Sequence, residues 1–151
     1  MSYSKLLADR KIRREPGVKG QVGDQQAAAR RDLAAACKFG SDEEWTFNIA
    51  YNAMLLAGRA VMFAEGYRPT TGEGGHAAVI EFLRIRLDPS FRLMLDLMDR
   101  MRRQRHRITY EAIETVSSTQ IAEALQTAEE FVLRIEALLA SLRKPPKATR
   151  R

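Results

Sequence analysis

The sequence predicts an all-α protein, an up-and-down helical bundle with an extra short helix and flexible ends, and three observations predict it. Alanine-dense stretches such as Ala27-Ala28-Ala29 and Ala34-Ala35-Ala36, beside six methionines and few β-branched residues, favour helix over strand. Apolar residues recur at helical spacing in four or five segments joined by short connections, and a bundle is the simplest way to bury such stripes. No alternating strand pattern and no internal repeat of 20 to 50 residues is found.

Residues 1–23 open with a short apolar-polar stretch, Tyr3 to Ile12, then Pro16, Gly17, Gly20 and Gly23 interrupt regular structure. A flexible arm with about one helical turn is expected. From Asp24 to Lys38 the spacing predicts a helix, with Asp24 as N-cap, Leu33 and the alanines inward, and Gly40 as its stop. Ser41 with Glu44 forms a capping box, and the longest helix follows to Glu65, where Gly66 ends it.

The run Arg68-Pro69-Thr70-Thr71-Gly72-Glu73-Gly74-Gly75 predicts a loop, since its proline and glycines each penalise a helix. A shorter helix runs from His76 to about Leu87, and Asp88-Pro89 reads as the N-cap and first turn of the next, which reaches about Thr109. Ser117 and Gln120 form another capping box. Ile121, Leu125, Ala128, Phe131, Val132, Ile135, Leu138, Leu139 and Leu142 then make the stripe of a last amphipathic helix, stopped by Pro145 and Pro146 before a basic tail.

A length of 151 residues allows one domain with a hydrophobic core. The expected division is a flexible arm over 1–23, a helical domain over 24–143 and a disordered basic tail over 144–151. The longest nearly uncharged run, Trp45 to Ala64, still holds Asn48, Asn52 and Arg59, and the chain starts without a charged-then-apolar signal segment. A cytoplasmic protein with no membrane contact is expected. Cys37, within an alanine-rich pattern, is expected to be a small buried side chain. Two histidines and one cysteine far apart give a metal site no support, and no nucleotide-fold or serine-hydrolase motif is present, so no cofactor is expected.

Net charge is +6, and 19 of the 25 cations are arginine, whose planar fork suits phosphate oxygens and stacking on bases. Five arginines fall within residues 100 to 107, Arg-Met-Arg-Arg-Gln-Arg-His-Arg. At about 100° per residue, Met94, Leu97, Met101 and Ile108 form a buried side, with Asp99, Arg102, Arg103, His106 and Tyr110 opposite. Arg102, His106 and Tyr110 succeed one another by one turn, aligning a cation, an imidazole and a phenol. Cleavage of RNA without a metal needs a group that exchanges a proton near neutral pH and a cation that holds the phosphate as its charge rises. Tyr110 suits orienting that phosphate or stacking on a base. An exposed charged face with a surface histidine is the plainer reading of the same helix. His76 is read as capping or packing the loop before it.

Ala50-Tyr51-Asn52-Ala53-Met54-Leu55 through Arg59-Ala60 to Glu65-Gly66-Tyr67-Arg68-Pro69 resembles the second-helix block of HEPN domains, and Gly75 to Leu83 resembles their following helix. Asp99 to Glu111 is similar to the family's arginine-rich stretch, so the likeness covers roughly residues 25 to 140. It implies an antiparallel four-helix core and a homodimer whose arginine-rich helices share a cleft. It also implies RNA as partner and, for many members, metal-independent ribonuclease activity of toxin-antitoxin or defence type. The family signature is an arginine, four to six residues and then a histidine. With Arg105 in the arginine position the matching residue is Tyr110 instead of histidine; the register Arg100 to His106 satisfies the spacing but splits the two residues between faces. The candidate catalytic residues are therefore His106, Arg105, Arg102 and Tyr110, and the candidate nucleic-acid contacts are Arg100, Arg102, Arg103, Arg105 and Arg107. The alternative is a non-catalytic partner of a small nucleotidyltransferase, with Tyr110 as a modification site, or another regulatory scaffold.

Overall fold

The computed structural model describes residues 2–39, 44–70, 75–111 and 116–143, with the side chains of 106–111 outside that description. In chain order the described elements are α1 (Ser4–Ala8), β1 (Ile12–Arg14), α2 (Val22–Phe39), α3 (Glu44–Ala64), β2 (Tyr67–Pro69), α4 (Gly75–Arg86), α5 (Arg92–Glu111) and α6 (Ser118–Arg143). The protein is all-α in class.

α3 is the centre. Thirteen of its 21 residues are buried, more than a one-sided stripe supplies, so neighbours must stand around it. α2 packs along it most extensively, followed by α6 and α4. At Gly58 an added Cβ would lie 2.7 Å from the Leu83 Cδ1 and 3.2 Å from the Val79 Cγ1, so the missing side chain is what lets α3 approach α4. Asn52 on α3 donates to Asp32 on α2 at 2.6 Å, tying the two long helices with a polar bond beside the apolar contact.

The helix ends follow their expected chemistry where they are described. Asp88 caps a 3-10 turn at Pro89–Phe91 by accepting from the Ser90 amide at 2.8 Å, and α5 continues from it. Ser117 and Gln120 cap α6 reciprocally, at 3.2 Å and 3.0 Å. Ser41, Gly40, Glu73, Pro145 and the basic tail lie outside the described residues. On α6 the buried positions are Ile121, Ala124, Ala128, Phe131, Val132, Ile135 and Leu139, whereas Leu142, expected inside and one residue from the helix end, is 54% exposed.

The first 23 residues depart from the expected flexible arm. Leu6, Ile12 and Val18 are buried with the main core, and a 3-10 turn at Pro16–Gln21 leads straight into α2. Tyr3 stacks on Phe82 with ring centroids 4.4 Å apart and meets Tyr67 edge-on at 5.2 Å. Its hydroxyl donates to both Glu65 carboxylate oxygens at 3.1 Å, and burial followed by the Glu65 charge pushes its pKa up. Strand was not expected either, yet β1 pairs antiparallel with β2, Ile12 opposite Pro69 and Arg14 opposite Tyr67. Three-residue strands are too short to display alternation, and Pro69 is tolerated because this ribbon is all edge. Arg68, expected in a loop, thereby sits in β2 and donates to Glu15 at 2.8 Å.

Cys37 also differs from expectation. It is exposed, and its thiol donates to Glu129 on α6 at 3.1 Å. Ala29, Leu33 and Ala36 already fill the inward face of α2, which leaves Cys37 at the edge of that face.

Candidate functional site

α5 carries the cations and its own packing decides where they point. Met94, Leu95, Leu97, Met98 and Met101 are buried, as the expected stripe requires for Met94, Leu97 and Met101. Fixing that face turns Arg102 and Arg105, three residues apart, to one flank and Arg100 and Arg103 to the other. Expected on the solvent side, Arg102 is instead half-buried at 32% side-chain exposure, against 57% for Arg103 and 62% for Arg100. Both cations of the Arg102 flank face α3.

What they face is a phenol and an imidazole that the sequence reading did not place in a site. Tyr51 of α3 is fully buried, and its hydroxyl lies 3.0 Å from the Nδ1 of His76, in the first turn of α4. The Arg105 guanidinium stands 5.4 Å from the Tyr51 ring centroid, within reach of a cation–π attraction. Burial pushes the phenol up to about 12, with Arg105, Arg102 and Arg59 only partly opposing it, so it is neutral at physiological pH. His76 moves the other way: burial first, then the charges of Arg59, Arg105 and Arg102, hold it below the usual histidine value. Hydroxyl and ring nitrogen share one hydrogen bond, whose donor is set by the His76 tautomer.

Arg59 completes the group. It is half-buried, burial lowers its pKa, and the nearby Arg68 adds to that lowering. Among the described residues Asp99 is the carboxylate nearest α5's cations, and it is divided between Arg102 at 3.1 Å and Arg103 at 3.5 Å. The result is a group of cations beside a buried, neutral phenol. Such a group attracts anions and holds its imidazole neutral.

The other flank of α5 borders a groove of about 230 Å³ against α6, floored by Phe47, Leu97 and Met101 and rimmed by Arg100, Arg103 and Gln104. Gln104 reaches across it to Gln120 at 3.3 Å.

Of the expected site residues, the structure therefore brings Arg102 and Arg105 together and sets Arg100 and Arg103 apart from them. His106, Arg107 and Tyr110 lie on the α5 backbone, with side chains outside the described residues. Tyr51, His76 and Arg59 were missed as site residues. Arg59 did leave a signal, since it is the one charge within an otherwise uncharged stretch of a buried helix.

The state of His76 has a measurable consequence. Its folded pKa lies below the unfolded value of about 6.5, so the folded protein binds fewer protons there. The stability this contributes is fully present above that value and is lost as pH falls through the folded pKa. Thermal melts should show the midpoint dropping below about pH 6.5, with a shallower drop for His76→Gln. An identical acid profile for the two proteins would place the titration elsewhere.

A family model, described as the HEPN domain, matches residues 25–138. No curated protein and no solved structure matches the chain. No helix among the described residues is long and apolar enough to cross a membrane.

Proposed function

Because the chain belongs to the HEPN domain family, whose members are generally RNA-related or nuclease-like, we propose that it is an RNA-directed protein that binds single-stranded RNA across α5. The convergence of Arg102 and Arg105 beside Tyr51 and His76 is the observation that carries this reading. Arginine forks pair with phosphate oxygens, and the groove beyond Arg100 and Arg103 offers an apolar floor and amide groups to an unstacked base. HEPN domains often dimerise; in a homodimer two copies of α5 would double the cationic surface along one strand.

The reaction suited to such a surface is metal-independent cleavage of the phosphodiester, with an imidazole moving the proton and a guanidinium holding the developing charge. His106 lies on the arginine-rich helix, and His76 stands beside two of its cations. A nuclease-free preparation in chelator should retain mixed RNA at 50 mM salt and release most of it by 200 mM, because each neutralised phosphate returns a counterion. Cleavage should fall about a hundred-fold or more in His106→Ala or His76→Ala, whichever supplies the proton-transfer group. Equal cleavage by both variants and the parent would assign the activity to a contaminant. Absence of salt-sensitive retention would turn the reading toward the alternative, a non-catalytic partner of a small nucleotidyltransferase or another regulatory scaffold. A toxin or defence role further requires that induction slow growth.

A further inference from the structure

In the groove between α5 and α6 the Glu123 carboxylate and the Arg103 guanidinium stand over an apolar floor, and we propose that this groove is a pocket for one guanine base of a single-stranded RNA. The proposal rests on the reading that RNA binds across α5, and it adds the base which that strand must present.

Size is the first argument. The groove holds about 230 Å³, less than the roughly 300–1,000 Å³ usual for larger ligands, and Phe47, Leu97 and Met101 beneath it are buried. Such a space suits a single flat base better than a longer piece of strand.

Hydrogen-bonding capacity is the second. Glu123 meets Arg100 only at 3.8 Å, too long for a hydrogen bond, so among the described residues both of its oxygens are open acceptors. Arg103 turns its Nε to Asp99, at 3.5 Å, which leaves its terminal amino groups as an open fork. Gln120 commits its Oε1 to the Ser117 amide and to Gln104, so the Gln104 Oε1 is one acceptor more. The groove therefore presents paired acceptors from α6 and paired donors from α5.

The edges of the bases supply the third argument. Guanine sets N1–H and its N2 amino group side by side, two donors for a carboxylate, and O6 and N7 side by side, two acceptors for a guanidinium. Adenine, cytosine and uracil each place an acceptor next to the donor on their pairing edge, where it would meet the Glu123 carboxylate. Glu123 thus selects against those bases as well as for guanine.

The experiment places one guanosine, adenosine, inosine or 7-deazaguanosine at the centre of a short, otherwise all-uridine strand and reads affinity by anisotropy. The guanosine strand should bind about ten-fold or more tighter than the adenosine strand. Inosine lacks the N2 amino group and 7-deazaguanosine lacks N7, so both should fall between. Glu123→Gln should remove the preference for guanosine over inosine. Arg103→Lys, which keeps the charge but not the fork, should remove the preference over 7-deazaguanosine. Both side chains are more than half exposed, so neither change disturbs the core. If all the strands bind equally, or if the guanosine preference survives both changes, the pocket is overturned while RNA binding stands. In parallel, free guanosine and adenosine are titrated against the side-chain amide resonances of Gln104. A shift with guanosine alone upholds the pocket even where no strand binds, a result that fails only the RNA reading. No shift with either nucleoside, together with no strand bound, overturns both.

Discussion

Replacing both Arg102 and Arg105 with glutamate should weaken binding of a single-stranded RNA by about a hundred-fold at 100 mM salt, and should flatten its salt dependence. Each phosphate contact on a single strand contributes about −0.7 to the logarithmic salt slope, so two lost contacts make it shallower by about 1.4 before any repulsion is counted. The two side chains sit on one flank of α5 and act on the same buried phenol, so their reversal changes one place. Arg31→Glu with Lys38→Glu on α2 provides the comparison, since both positions are exposed and the net charge changes equally. Anisotropy titrations over a salt series read the difference. A matching loss in the α2 pair would mean that overall charge, and not the α5 flank, attracts the strand.

Phe82→Ala should destabilise the fold by about 3–5 kcal/mol, among the largest effects of any single core truncation here. The ring is fully buried, receives Tyr3 face-on at 4.4 Å and lies 6.0 Å from the Tyr67 ring. Its removal leaves a cavity and takes away the surface on which the first helix docks. In a domain of this size each kcal/mol lowers the melting midpoint by about 2–4 °C, so a loss of roughly 6–20 °C is expected. Proteolysis of the variant should nick residues near 9–11 before the bundle itself is cut. A midpoint within about 2 °C of the parent would show that the docked segment contributes little to the core.

Long periodic segments were legible in the sequence because burial on one side imposes spacing: α6 and α5 follow their stripes, and the Ser117–Gln120 and Asp88 caps are found where their chemistry places them. The N-terminal contacts were not legible. Tyr3, Phe82 and Tyr67 meet across more than 60 residues of chain, and no local pattern announces a pairing of that range. The candidate site was half legible for a related reason. Clustering of arginine near residue 100 is visible in one dimension, but Tyr51 and His76 join it only through the packing of α3 and α4. A helical wheel also treats one helix alone, so it assigns Arg102 to solvent when a neighbouring helix covers that side.

The β1–β2 ribbon sets an order of events during synthesis. Ile12–Arg14 leaves the ribosome well before its partner Tyr67–Pro69, which is about 57 residues later, and must wait unpaired while α2 and α3 form from nearer contacts. The arginines of α5 are synthesised later still, after β2 and α4, so the ribbon is free to close before the cationic helix exists. The second half of the chain thus docks onto a first half whose two ends are already clasped together.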